Sequence, residues 1–146
     1  SVDTNGSIPR VVEQLTSIVN RIALDLKCEF KRYADITRAP SHFLSNVKES
    51  FNIINSASTV DFEIRTTVVP SLVGRSDIDA ISKYLTTHNF RGVYVLQQFC
   101  NEGDVRGLKT INSPTKNELI ELAKMAIDQG VQDVAIRTRE QGYEFI

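Results

Sequence analysis

The residue types best suited to bind a small charged ligand lie at the ends of two apolar, strand-like runs. The first run contains Asp3 and Thr4 and is followed by Asn5. The second run ends at Asp25 and Lys27. A helix pattern separates the two runs, as it does in a parallel α/β sheet, where ligands bind at the carboxyl ends of the strands. We therefore predict a ligand site at this edge of the sheet.

Asp25 is a charged residue inside an otherwise apolar strand, which is costly unless the charge is paired. It lies between Leu24 and Leu26, so its side chain is on the opposite face of the strand from theirs. Asp25 and Lys27 share that face and can pair with each other or with the amine and carboxylate of a ligand. Arg65, in the next predicted strand, could lie close enough to join them. The alternative is an internal salt-bridge network without a binding function.

Two glutamines, Gln97 and Gln98, end the fourth predicted strand and bring amide groups to the same rim. Either side chain could instead be tied to the backbone in the core. Cys28 and Cys100 each follow a predicted strand, and we interpret both as structural thiols. Two cysteines cannot form a zinc site or hold an iron–sulfur cluster by themselves.

The elements that position these side chains alternate between strand and helix patterns. The predicted strands begin at or near residues 2, 21, 62, 93 and 131, and the predicted helices begin near Pro9, Ser41, Ser76 and Ser113. For the third helix we predict a cap at Ser76, completed by Asp79. The alternation predicts a single α/β domain over residues 1–146, with about five parallel strands and four helices. Residues 29–40 and 101–112 are predicted loops that follow strands.

Composition restricts the class of protein further. The chain has 146 residues, 41% of them hydrophobic, which is enough for one domain but too few for a complete eight-stranded barrel. The net charge is −1 and no basic block is present, so we expect no nucleic-acid partner. No apolar run reaches the roughly 20 residues that span a bilayer, so we expect no membrane segment. The low cysteine content indicates a cytoplasmic location.

Four motifs, in this order and at this spacing, resemble one enzyme family. They are Asp-Thr-Asn-Gly at residues 3–6, Ala-Leu-Asp-Leu-Lys at 23–27, Arg-Thr-Thr-Val-Val-Pro at 65–70 and Tyr-Val-Leu-Gln-Gln-Phe at 94–99. The pattern is similar to the C-terminal part of radical S-adenosylmethionine activating enzymes. The likeness is above all to anaerobic ribonucleoside-triphosphate reductase activating proteins, and next to pyruvate formate-lyase activating enzyme. It extends from Val2 to about Arg139.

The resemblance implies part of a TIM-like (β/α) barrel, with S-adenosylmethionine and a [4Fe–4S] cluster at the carboxyl ends of the strands. It also implies the chemistry of the family. Reductive cleavage of S-adenosylmethionine gives a 5′-deoxyadenosyl radical, which removes a hydrogen atom from a glycine of a partner glycyl-radical enzyme, such as anaerobic ribonucleotide reductase. The cofactor supplies this reactivity and the protein positions it.

By this resemblance a set of residues at the strand ends would bind the cofactor. The set is Asp3, Thr4, Asn5, Asp25, Lys27, Arg65, Thr67, Val68 and Gln97. Asp3 and Asp25 would lie near the methionyl end, where they could hold a cation together with Thr4. Lys27 would contact S-adenosylmethionine.

The adenosyl part of the cofactor would be bordered by Arg65 and by the backbone near Thr67 and Val68. Phe99 stands where the family has a histidine, so the contact made by that histidine is not expected here.

Two motifs of the family are absent, namely Cys-x-x-x-Cys-x-x-Cys and Gly-Gly-Glu. Both belong to the N-terminal half of the family, so we expect this chain to be the C-terminal portion of a partial barrel, without an iron–sulfur cluster and inactive alone. A separate N-terminal half could complete it, and an exposed edge at residues 1–4 could also join two copies into a homodimer. The alternatives are a stand-alone half-barrel that binds a small ligand or a partner without catalysis, and a degenerate remnant that dimerises.

Overall fold

Helices and strands alternate along the chain, as a computed structural model that describes residues 1–101 and 111–146 shows. The elements are β1 (Val2–Thr4), α1 (Pro9–Leu15), β2 (Arg21–Asp25), a 3-10 turn (Phe30–Arg32), α2 (Tyr33–Thr37), α3 (Ser41–Ser56), β3 (Asp61–Val68), α4 (Arg75–Thr87), β4 (Val93–Gln98), α5 (Lys116–Asp128), β5 (Asp133–Thr138) and β6 (Gly142–Phe145). Within these two ranges no helix has both the length and the hydrophobicity that crossing a membrane requires.

The strands form one sheet in the order β1-β2-β3-β4-β5-β6. Strands β1 to β5 are parallel, and β6 runs antiparallel to β5. Each parallel strand lies beside its predecessor and the order never reverses. Right-handed crossovers of this kind place all the connecting helices on the same face of the sheet, as in a (β/α) barrel. The predicted α/β class is confirmed, and the sheet is open and barrel-like.

The alternation of side chains gives the sheet two different faces. On β2, Ile22 and Leu24 are fully buried in the core formed with the helices. We call this side the helix-covered face. Ala23 and Asp25 point the other way, onto what we call the inner face. The strand registers place the following residues on the inner face: Asp3, Arg21, Ala23, Asp25, Glu63, Arg65, Thr67, Val93, Val95, Gln97, Ala135, Arg137 and Tyr143.

The described residues contain six strands and five α-helices, one of each more than predicted. The extra strand is Gly142–Phe145, which the sequence pattern left ambiguous because it has only four residues. The extra helix is Tyr33–Thr37, in a stretch predicted to be a loop. Five residues are too few for a helical period to be recognised, although Tyr33 is buried. The predicted loop at 101–112 lies almost entirely outside the described residues.

The helix caps differ from those predicted. Helix α4 is capped by Asp77, whose carboxylate accepts a hydrogen bond from the Gly74 N–H at 3.1 Å, so the predicted pair of Ser76 and Asp79 is wrong. Helix α5 begins after Thr115, whose hydroxyl accepts from the Glu118 N–H at 3.2 Å.

Candidate functional site

The polar residues of β1, β2 and β3 meet on the inner face at the carboxyl ends of the strands. Asp3 lies in register with Ala23, and Asp25 lies in register with Arg65. The Arg65 Nη1 donates to Asp3 Oδ2 at 2.7 Å. Side chains far apart in sequence therefore share one edge of the sheet, as the parallel arrangement requires.

Asp25 and Lys27 pair with each other, which is one of the two alternatives that their spacing allows. Lys27 Nζ lies 2.6 Å from Asp25 Oδ2. The Lys27 side chain is 46% exposed and that of Asp25 is 31% exposed. An ion pair this open to solvent is worth about 1 kcal/mol or less. Asp25 and Lys27 can therefore separate, and each can bind a group of opposite charge on a ligand, at little cost in free energy.

Arg65 does not join the pair of Asp25 and Lys27. Its Nε donates to Glu63 Oε1 and its Nη1 donates to Asp3. Burial lowers the pKa of Arg65, but its bonds to Glu63 and Asp3 outweigh burial and raise the pKa above its ordinary value. The Arg65 side chain is 11% exposed, so it is a fixed cation that holds Asp3 in place.

Glu63 is a site residue that the sequence analysis missed. It is 5% exposed and accepts from both Arg21 and Arg65. Glu63 lies between the apolar residues Phe62 and Ile64, which is the pattern that drew attention to Asp25. A charged residue inside an apolar strand was therefore the signal that could have identified it.

The Asp-Thr-Asn-Gly motif builds a turn. The Thr4 hydroxyl accepts from the Gly6 N–H, and the Asn5 side-chain oxygen accepts from the Ser7 N–H, each at 3.0 Å. The Gly6 carbonyl accepts from the buried Ser50 hydroxyl at 2.9 Å. Gly6 has φ +70°, a conformation that favours glycine. Thr4 and Asn5 thus have a structural role that is independent of any ligand.

The residues predicted to hold a cation do not share one face. Asp3 and Asp25 lie on the inner face, whereas Thr4 is in register with Leu24 and therefore points to the helix-covered face. All three residues border a depression of about 430 Å³ beside β1. Within residues 1–101 and 111–146, no cluster of three or more His, Cys, Asp or Glu side chains is arranged to hold a metal ion. The cation site stays a prediction.

The remaining predicted rim residues divide between the two faces. Thr67 and Gln97 lie in register on the inner face. Val68 is buried on the helix-covered face, and its carbonyl accepts from the Phe99 N–H at 3.3 Å. Phe99, where the resemblance implies a histidine in the family, is buried in the apolar core and offers no polar group to a ligand.

Gln98 is half-buried and tied to the backbone, so it takes the structural one of its two predicted roles without lying in the core. Its Nε2 donates to the Pro114 carbonyl at 2.8 Å, and its Oε1 accepts from the Arg139 N–H at 2.9 Å. These bonds join the end of β4 to the chain before α5 and to the end of β5. The Gln98 side chain is therefore not available to a ligand.

Both cysteines are free thiols. Cys28 is fully buried, and burial, together with the negative charge of Asp77, raises its pKa to about 11. The Cys28 thiol therefore stays protonated at neutral pH and is not poised to be a metal ligand. Cys100 is half-buried, and its thiol lies 3.7 Å from the Gln98 carbonyl. The residues of this chain do not fit a [4Fe–4S] cluster, because two cysteines cannot supply its ligands.

Comparison with known proteins gives one informative similarity. No family model matches the chain. The chain is 30% identical, over 148 aligned positions, to a protein of Methanocaldococcus jannaschii that is named as a glycyl-radical enzyme activating enzyme. The alignment covers 98% of this chain and 60% of the relative, so the chain spans about 60% of that relative's length. This similarity supports a relationship between the chain and the glycyl-radical enzyme activating enzymes.

Proposed function

We propose that this chain is the C-terminal part of a radical S-adenosylmethionine protein that activates a glycyl-radical enzyme. The observation that carries the proposal is the similarity to the M. jannaschii protein, which extends over 98% of the chain. The order of the four motifs agrees with this origin. The partner of the complete protein would then be a glycyl-radical enzyme, such as an anaerobic ribonucleotide reductase.

The inner face offers groups that suit the methionyl end of S-adenosylmethionine, which carries one ammonium and one carboxylate. The Asp25 carboxylate can accept from the ligand's ammonium, and the Lys27 ammonium can donate to its carboxylate. The two groups bind each other at 2.6 Å in a solvent-exposed pair, so the exchange is inexpensive. Asp3, held by Arg65, adds a second carboxylate beside them. S-Adenosylmethionine, when bound, supplies the capacity for hydrogen-atom abstraction.

The ligands of the iron–sulfur cluster must come from outside residues 1–146, and the β1 edge is where we place the addition. Within residues 1–101 and 111–146, β1 pairs only with β2, so among these residues its other edge has unpaired backbone groups. Ile8 and Val11 are exposed and border the depression beside β1, and Ile18, which follows α1, is 74% exposed. A further β/α unit would pair its strand with β1 and cover these side chains with its helix.

Anaerobic reconstitution tests the proposal. The chain is produced together with, or joined behind, a segment that carries Cys-x-x-x-Cys-x-x-Cys. We expect the assembled protein to take up an iron–sulfur cluster and to cleave S-adenosylmethionine when a reductant is added, and the chain alone to do neither. An assembled protein that holds a cluster but does not bind S-adenosylmethionine would contradict the proposal.

Two lysine variants make the test specific to the inner face. Lys27→Ala removes one charge-assisted hydrogen bond to the ligand, so we expect the affinity of the assembled protein for S-adenosylmethionine to fall by at least about tenfold. Lys83→Ala is the matched control, because Lys83 also forms a 2.6 Å pair, with Asp79, but on α4. If both variants bind as tightly as the original chain, the pair of Asp25 and Lys27 is purely structural.

A second candidate function is binding of a small zwitterion by this chain alone. It is favoured by the exposure of the Asp25 and Lys27 pair, which needs no other segment in order to meet a ligand. Titration calorimetry of the isolated chain with S-adenosylmethionine separates the two functions. Micromolar binding without a cluster favours the stand-alone binder, and binding that depends on the cluster segment favours the activating protein.

A further inference from the structure

A groove of about 940 Å³ lies along the inner face and the amino-terminal ends of β2 to β4. Its polar lining consists largely of charged residues distant in sequence: Arg21, Arg65, Arg91, Arg137, Asp61 and Glu63. Four arginines and two carboxylates leave a formal excess of positive charge in the groove, whereas the whole chain has a net charge of −1. The positive charge is therefore concentrated here by the fold.

The four arginines differ in their partners. Arg21 and Arg65 both donate to the buried carboxylate of Glu63, which neutralises part of their charge. Arg91, in the connection before β4, and Arg137, on β5, have exposed side chains that form no ion pair or hydrogen bond within the part of the chain that the structure describes. These two guanidinium groups are free to bind an anion, which Arg does with two parallel hydrogen bonds.

Tyr143 supplies a partly apolar wall next to these arginines. It lies in register with Arg137 at the start of β6 and lines the groove. Burial raises the pKa of Tyr143, the negative charge of Glu63 adds to this shift, and Arg21 and Arg65 oppose it. The tyrosine is thus in the electrostatic field of the charges on β2 and β3. Phe62 and Val93 add apolar lining to the groove.

We propose that this groove binds a small molecule with phosphate or carboxylate groups, with Arg91 contacting an anionic group at the amino-terminal end of the groove, Arg137 contacting an anionic group further along it, and Tyr143 contacting the body of the molecule. A volume of about 940 Å³ is within the range of small-molecule sites, about 300–1,000 Å³. The proposal goes beyond the cofactor site, because Arg91, Arg137 and Tyr143 take no part in that site. A negative result for the groove therefore does not contradict the proposed cofactor site, and a negative result for the cofactor site does not contradict the groove.

Titration calorimetry of the whole chain with two probes tests this site. Pyrophosphate represents a phosphate ligand and citrate a carboxylate ligand, and the tighter of the two identifies the anion class. We expect at least one probe to bind, and its affinity to fall as sodium chloride screens the charges. Arg137→Ala and Arg91→Ala should each weaken binding by about tenfold or more, the loss of one charge-assisted contact.

Arg139→Ala is the matched control for Arg137→Ala. Arg139 is exposed two residues further along the chain, does not line the groove, and keeps its backbone bond to Gln98 when its side chain is shortened. We expect this variant to bind like the original chain. In Arg91→Ala the backbone N–H of residue 91 can still donate to the Asn55 side-chain oxygen. This variant therefore tests the groove if Arg137→Ala fails to fold.

Two results would overturn the proposal. One is the absence of binding by both probes at low salt. The other is a loss of affinity in Arg139→Ala equal to that in the folded groove variants, because binding would then follow overall charge rather than this groove.

Discussion

Replacing Asp77 by alanine should remove the bonds that join the chain after β2 to the start of α4. The Asp77 side chain is 1% exposed. Its carboxylate accepts from Arg32 Nη1 at 2.9 and 3.0 Å, from the Glu29 N–H at 3.1 Å and from the Gly74 N–H at 3.1 Å. Arg32 also donates to the Leu72 carbonyl at 2.9 Å, so the same cluster ties down the chain after β3. Asp77 therefore fixes both segments that follow the carboxyl ends of β2 and β3.

The expected cost follows from these contacts. Breaking a buried ion pair by removing one partner costs about 3–5 kcal/mol. The Arg32 side chain is 36% exposed and can regain water, which reduces this term to about 2–3 kcal/mol. Loss of the cap on the Gly74 N–H adds about 1 kcal/mol. We therefore expect Asp77→Ala to lower the free energy of unfolding by about 3–4 kcal/mol, a large part of the stability of a domain of this size.

Urea denaturation of three variants measures this cost. Asp79→Ala is the control on the same helix: Asp79 forms a partly exposed pair with Lys83 and accepts from Gln129 Nε2 at 2.8 Å, so its loss should cost about 1–2 kcal/mol. Combining Arg32→Ala with Asp77→Ala should cost less than the sum of the single changes, with a coupling of about 1–3 kcal/mol. The reasoning fails if Asp77→Ala is no more destabilising than Asp79→Ala, or if the coupling with Arg32 is zero.

Three further predictions concern backbone geometry and a buried thiol. Gly6→Ala would place a Cβ 2.8 Å from a leucine side chain at φ +70°, and should lower the free energy of unfolding by about 2–4 kcal/mol. Gly142→Ala is the control, because at φ +72° its Cβ would have no atom within 4 Å, and it should cost about 1–2 kcal/mol. Equal losses of the two variants in urea denaturation would refute the clash at Gly6. Gly92→Ala would place a Cβ 2.0 Å from the Phe62 carbonyl oxygen, so it should lower the Tm more than Gly142→Ala does. The folded-state pKa of Cys28, about 11, lies above its ordinary value of 9.0, so the stabilisation that Cys28 gives is complete below pH 9 and is lost as the pH rises towards 11. The difference in unfolding free energy between the original chain and Cys28→Ala should therefore shrink over that range, by about 1.4 kcal/mol for each pH unit, and a constant difference would refute it.

The parallel part of the fold was predictable because its strands and helices are long enough to show a period. The apolar residues that indicated α3, such as Val47, Phe51 and Ile54, are buried. Strand β6 was not predictable, since its four residues are too short a run to establish a period and the strand is defined by its pairing with β5. Cap positions depend on which carboxylate reaches the backbone, and for α4 it is that of Asp77, which accepts from the Gly74 N–H.

The candidate site was predictable where partners are close in sequence and not where they are distant. The pairing of Asp25 with Lys27 was one of two alternatives that their spacing of two residues at the end of β2 allowed. Whether Arg65 pairs with Asp3, Asp25 or Glu63 depends on strand register and twist, which the spacing of residues in the sequence does not reveal. The arginines of the groove are single residues on different elements, so a search for basic blocks in the sequence could not find them.

Burial divides the charged residues of the inner face into a fixed set and an exchangeable set. Glu63 and Arg65 are almost covered and bind each other, so a ligand that displaced either would leave a buried charge without its partner, at a cost of several kcal/mol. Asp25, Lys27 and Asp3 are open to water and lose little when they exchange partners. A structural salt-bridge network and a ligand site are therefore not exclusive alternatives here. The buried ion pair orients the exposed carboxylate of Asp3, and the exposed groups are the ones that a zwitterionic ligand can bind.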